Sequence, residues 1–186
     1  FTMEFPFMWA KSMEIAIVNT FPSKPVYVRL TINSKFRDNP EKRYDDSELI
    51  MREILEHGTN SNRGQKSVKR LNYIHSNFNI DNDSYLYVLA LFVYVPVKMI
   101  NEYGWRKLYD YEIDAISKTF IDVGKEMNIK HLPNNYKDFE NIIKKTYNII
   151  NDSKPDKRSK IIFESILKMF LKPYPICFHN IIKILL

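Results

Sequence analysis

A chain of 186 residues with 45% hydrophobic and 27% charged side chains can bury one sizeable core and is too apolar for a disordered segment. Its one cysteine, Cys177, excludes a disulfide framework and a multi-cysteine zinc site; the apolar setting reads as a small buried hydrophobe in a reducing compartment, or on a membrane face exposed to one. The net charge of +6 is modest and comes with no nucleic-acid-binding motif, so no nucleic-acid partner is expected, and solvated helix faces or attraction to anionic lipid head groups account for it.

With only 4 Gly and 9 Pro, long helices with short joins are expected. The first is predicted over Phe5 to Phe21, where Phe5, Met8, Trp9, Met13, Ile15 and Ala16 form a broad apolar surface that stops near Pro22 and Pro25. Val26 to Phe36 has strand-like composition but no partner strand, so a helix is preferred. Next, Asn39 can cap, Pro40 fits a first turn and Glu41 suits the positive dipole end, opening a helix that runs to His57 with Gly58 as its stop. There Arg43, Ser47, Ile50 and Ile54 follow helical spacing, which puts Arg43 and Ser47 one turn apart on the buried side. A rival start at Asp45, paired with Glu48, leaves Arg43 outside the helix. The plainer reading of the pair is an arginine snorkelling from a core edge and a serine of no consequence.

Thr59 to Asn62 reads as a turn, and the helix after it carries Val68, Leu71, His75 and Phe78 on one stripe, with Lys66, Lys69, Arg70 and Tyr73 on wet faces. A histidine in an apolar stripe is either a core residue with a hydrogen-bond partner or a ligand to a metal or cofactor, and this segment alone speaks for the first. After the polar break Asn79 to Ser84, capped by Asp81 or Asp83, comes Tyr85 to Ile100, apolar nearly all round and therefore the central buried helix. Pro96 is expected to kink it or end it early. Its apolar run, Tyr85 to Val97, is shorter than the roughly 20 residues a bilayer needs, so no membrane-crossing segment is expected. Tyr103 to Arg106 forms a corner in which Trp105 packs. Asp110 then caps a helix striped by Ile113, Ile116, Phe120, Val123 and Met127, and further helices follow at Tyr136 to Ile150, Lys157 to Lys172 and from Ile176 onward. The closing apolar run to Leu186 has no polar terminator, which reads as a fragment of a longer chain. The whole, 1–186, is expected to be a single all-α domain.

No Walker loop, dinucleotide fingerprint, zinc-protease helix or hydrolase elbow occurs. His57, His131 and His179 stand alone, and His57 suits a helix C-terminus. What remains is an ordered series: Lys42-Arg43-Tyr44-Asp45-Asp46-Ser47, Arg63-Gly64, Arg70-Leu71-Asn72-Tyr73-Ile74-His75, Asn82-Asp83-x-Tyr85-Leu86-Tyr87-Val88-Leu89, Tyr103-Gly104-Trp105-Arg106-x-Leu108-x-x-x-Glu112 and Gly124-x-x-Met127-x-Ile129. From about Phe5 to about Ile150 this resembles the family of rubber oxygenases (latex clearing proteins) and ER-bound oxygenases of mycophenolic acid biosynthesis, with fungal members nearest.

The resemblance implies a globin-like helical fold that holds haem b, with His75 as the iron ligand and Arg43 and Ser47 on the oxygen side. A hydroxyl and a guanidinium suit an oxygen that gathers negative charge; Arg43 also suits a propionate. Arg70 and Arg106 are read as capping or solvated residues in preference to propionate partners. Ser47 stands where the family has a threonine and keeps the hydroxyl. Asp46 stands where rubber-cleaving members have a lysine, and an acid cannot play that part. The implied activity is therefore an oxygenase that uses dioxygen on a C=C bond of a hydrophobic isoprenoid or lipid-like substrate, inside the cell with peripheral contact to the ER membrane. The alternative is a non-catalytic helical domain of the same fold, binding lipid or protein without haem.

Overall fold

Local start and stop signals decide where the elements lie in the computed structural model, which describes residues 2–20, 39–151, 157–172 and 174–176. Helix α1 (Pro6–Val18) opens on a proline whose fixed φ fits the first helical position. It ends at Val18, short of the expected Phe21, because Asn19 and Thr20 cap it: the Asn19 amide donates to Ile15 O (2.9 Å) and the Thr20 hydroxyl to Ile17 O (2.7 Å). Helix α2 (Pro40–His57) starts on Asn39 and Pro40 and stops at Gly58, whose φ of +71° favours glycine. The rival start at Asp45 is not used, so Arg43 lies within α2. Helix α3 (Asn62–Ser76) is capped by Ser61, whose Oγ accepts the Gly64 N–H at 2.9 Å.

Helix α4 (Asn82–Tyr103) is capped by Asp81, which accepts the Ser84 N–H at 2.7 Å. It continues past Pro96 to Tyr103, so the proline does not end it early. Pro96 is almost fully buried, and packing on both sides outweighs the hydrogen bond it cannot donate. The helix is consequently longer than its apolar run. With 22 residues and a mean hydropathy of 1.4 over its most apolar part, α4 is long and apolar enough to cross a membrane by length and composition alone, but 61% of that part is buried inside the fold, as in a core helix. Helix α5 (Asp110–Glu126) is preceded by Tyr109 at the cap, one residue before the expected Asp110, and Glu112 reaches back to accept the Tyr109 N–H at 2.8 Å. Helices α6 (Tyr136–Asn151) and α7 (Lys157–Leu171) complete the set, and the described residues contain no strand. Val26 to Phe36, Cys177, His179 and the run to Leu186 lie outside the described residues.

The architecture is all-α. Helix α4 is central, with α1, α5 and α6 packed on it; α2 pairs with α3, and α7 rests on α1 and α2. The main core joins Leu89, Val93, Val97 and Ile100 of α4 to Ile116, Phe120 and Phe139. A second cluster, Ile54, Val68 and Val123, ties α2 and α3 to α5. Burial of these side chains, at roughly 1.5–3 kcal/mol for each large one, fixes the walls described next.

Candidate functional site

Helical spacing turns three segments toward one another. On α2 it presents Ser47, Met51 and Leu55; on α3, Leu71, Ile74 and His75; on α4, Tyr85, Val88 and Phe92. Together with Trp9, Met13 and Ile17 of α1 and Phe120 and Val123 of α5 they enclose a largely apolar cavity of about 680 Å³. That volume falls within the range of small-molecule and cofactor sites.

His75 and Ser47, singled out from the sequence on separate helices, both line this cavity and both are half-buried. The Nδ1 atom of His75 is shielded from water, and its ring lies 5.6 Å from that of Tyr85 at 51°. Tyr85 is placed by the Asp81 cap, which sets the first turn of α4. Arg43 lies one turn before Ser47 on α2, and its side chain is outside the described residues. Asp46 turns outward and pairs with Lys42 at 3.1 Å. His57 sits at the C-terminus of α2 with its Nε2 3.8 Å from Glu53, and His131 is exposed in a turn. Neither lines the cavity.

Arg106 also stays away from it. Its guanidinium makes a two-pronged pair with Glu112 (2.7 and 2.9 Å) and lies over the rings of Phe5, Trp105 and Tyr109. That hydrogen-bonded pairing lowers the Glu112 carboxyl to about 2. Trp105 is mostly exposed at the corner, where its indole N–H donates to Glu4 O (3.2 Å) and its ring stacks on Phe5. Arg70 is solvated beside Tyr73.

Several wall residues carried no signal in the sequence. Tyr44 lines the cavity and meets Phe170 edge-on at 5.4 Å; burial first, then Glu14, Glu48 and Asp45, holds its phenol well above the usual tyrosine range. Its position three residues before Ser47 was the available hint. Glu48, Arg52 and Glu56 line the same space one turn apart, with Arg52 3.3 Å from Glu48. The contribution of α1 is a matter of tertiary packing. Chemically, the arrangement offers one imidazole, His75, with the Ser47 hydroxyl on a facing helix, the phenols of Tyr44 and Tyr85, and the charged side chains of Glu48, Arg52 and Glu56, on an otherwise largely apolar wall.

The chain resembles named proteins. The ER-bound oxygenase mpaB of Penicillium brevicompactum is 34% identical over 135 residues, which cover 68% of this chain and 34% of that protein. The ER-bound oxygenase mpaB' of the same organism matches at 34%, over 31% of its length. The ER-bound oxygenase mpaB of Penicillium roqueforti matches at 34%, over 45% of its length. The chain thus spans between about a third and a half of these relatives. No family model matches the sequence, and no solved structure matches it significantly. Along 68% of its length, this chain is similar to proteins named ER-bound oxygenases.

Proposed function

We propose that this chain carries the haem b site of an oxygenase that attacks a C=C bond of a hydrophobic isoprenoid or lipid-like substrate with dioxygen. The observation that supports it is the meeting of His75 and Ser47, from different helices, on one apolar cavity. The residues present fit the cofactor. Among the described residues no group of three His, Cys, Asp or Glu side chains can hold a bare metal ion. A lone imidazole on an apolar chamber suits a metal that arrives already held in a macrocycle. Haem, when bound, would supply the iron centre for dioxygen activation, the electrons that reduce dioxygen coming from the C=C bond that is oxidised.

This chain's own residues do the rest. His75 would hold the haem iron through a ring nitrogen, with the Tyr85 ring packed beside the imidazole. The Ser47 hydroxyl donates a hydrogen bond to an oxygen atom in the chamber, and Arg43, one turn away, adds charge to the same helix. Val88, Leu89 and Phe92 keep water from the reacting carbons and give an apolar chain a wall to lie on. Exposed Met3 and Phe7, at the end of the molecule where Thr2, Met3 and Pro6 line the cavity, suit a peripheral contact with the ER membrane.

The test is the absorption spectrum of protein expressed with haem supply. A Soret band that is lost in His75→Ala and kept in His57→Ala and His131→Ala is the expected result. Arg43→Ala and Ser47→Ala should keep the band and lose turnover. A folded wild-type protein with no band overturns the haem reading and leaves a domain that binds lipid or protein without a cofactor.

A further inference from the structure

Methionine is unevenly placed in this fold. The chain has 7 methionines, all within the described residues. None belongs to the fully buried core, which is built from Phe, Ile, Leu, Val, Ala, Pro and one Tyr. Four of them, Met3, Met13, Met51 and Met127, line the cavity.

Met3 is at the surface, 90% exposed. The other three are half-buried on the chamber wall, from the middle of α1, the middle of α2 and the C-terminus of α5. All three also edge the main core, and Met51 and Met127 pack in addition on the small cluster around Ile54 and Val123. The part of the wall that α4 and α5 supply is stiff, made of Val88, Leu89, Phe92, Phe120 and Val123, and the long side chains of Glu48, Arg52 and Glu56 are exposed and charged. An unbranched thioether with three rotatable bonds reshapes at little cost, whereas branched and aromatic side chains keep their outline.

We propose that Met13, Met51 and Met127 are the specificity-determining residues of this cavity, and that they set it to accept apolar ligands of differing outline, flexible chains and compact cages alike. The inference rests on the cavity being the ligand site, as in the function proposed above. A flexible ligand can adapt to a stiff wall, but a rigid one needs a wall that adapts to it. The soft side therefore matters most for rigid ligands.

The experiment is calorimetric titration of the full chain, expressed with haem supply, with decanoate and with 1-adamantanecarboxylate. The two probes share a carboxylate and differ in outline. Wild type should bind both with Kd values within about tenfold, a difference of no more than about 1.4 kcal/mol. The triple variant Met13→Leu/Met51→Leu/Met127→Leu nearly conserves volume and should keep decanoate while losing the cage by about tenfold or more. Met99→Leu/Met169→Leu, away from the cavity, should leave the ratio unchanged. If the triple variant does not fold, Met51→Leu alone should shift the ratio about threefold in the same direction. A wild-type preference beyond about 100-fold, or an unchanged ratio in a folded Met variant, overturns the proposal. A haem spectrum without binding of either probe also sinks it and leaves the haem reading standing; probe binding without haem does the reverse.

Discussion

Gly64 makes the sharpest test of how the two site-bearing helices are joined. It lies in the first turn of α3, and a Cβ built there would run into the carbonyl oxygen of Gly58, with the carbonyl carbon at 2.8 Å and Ser61 Oγ at 3.2 Å. Backbone cannot rotate aside as a side chain can. The Gly58 carbonyl also accepts the Ser61 hydroxyl (3.0 Å), and Ser61 in turn accepts the Gly64 N–H (2.9 Å), so relieving the clash breaks the cap of α3. Overpacking costs about 1–3 kcal/mol and a lost cap about 1, while alanine returns about 1 through helix propensity. Gly64→Ala should therefore destabilise by about 2 kcal/mol, or about 4–8 °C in Tm for a chain of this size. Gly58→Ala separates backbone strain from the clash: nothing lies within 4 Å of its Cβ, but φ +71° with ψ 155° is a region held essentially by glycine alone, a penalty of about 1–3 kcal/mol with no loss of the α3 cap. Scanning calorimetry measures both. Because α2 carries Ser47 and α3 carries His75, Gly64→Ala should also weaken haem uptake more than Gly58→Ala does. Melting of Gly64→Ala at or above wild type would mean that propensity wins and that the joint is loose, refuting the argument.

The Arg106–Glu112 pair predicts acid sensitivity. Its carboxyl titrates at about 2 in the folded chain and near 4.3 when unfolded, so its stabilisation is complete above about pH 4.3 and fades as pH falls to about 2. Tm measured across that window should fall less steeply for Glu112→Gln than for wild type. Tyr87 donates its hydroxyl to Asn19 O (2.9 Å), tying α4 to the end of α1. Tyr87→Phe should lower stability by about 1 kcal/mol in urea denaturation. Burial pushes that phenol up to about 12, so wild type should lose stability as pH rises from about 10 to 12, and the phenylalanine variant less.

Helix ends were readable where the capping chemistry is local. Pro40 in the first turn of α2, Gly58 at its end and Asp81 at the start of α4 each act within a few residues of themselves, whereas Asn39 occupies the cap position without a side-chain hydrogen bond. The start of α5 was misread by one residue because Glu112, not Asp110, reaches back to the free N–H. The course of α4 through Pro96 was not readable, since it depends on burial by helices distant in sequence. The stripe holding Val68, Leu71 and His75 followed from spacing alone, as did the inward turn of Ser47 and Ile54. Spacing gives the face of a helix but not what that face meets. Trp9 and Met13 reach the cavity only because α1 packs on α4, and no local pattern in the sequence carries that information.

The same helix accounts for the chamber's position. Tyr87, Leu91 and Val95 of α4 share a cluster with Ala16 of α1, while Val93, Val97 and Ile100 enter the main core. Tyr85, Val88 and Phe92 form a third face, toward the cavity. A helix surrounded on three sides is apolar all round whether its neighbours are lipid or protein, and here burial shows that most of that surface is covered by protein. The third face is the one its neighbours do not close. Exposed Met3, Glu48, Arg52 and Glu56 line the chamber's rim, so the 680 Å³ is a solvent-accessible pocket and not a sealed void. Water can fill it, but the apolar inner face of Val88, Phe92 and Phe120 offers that water few partners and favours a hydrophobic occupant in its place.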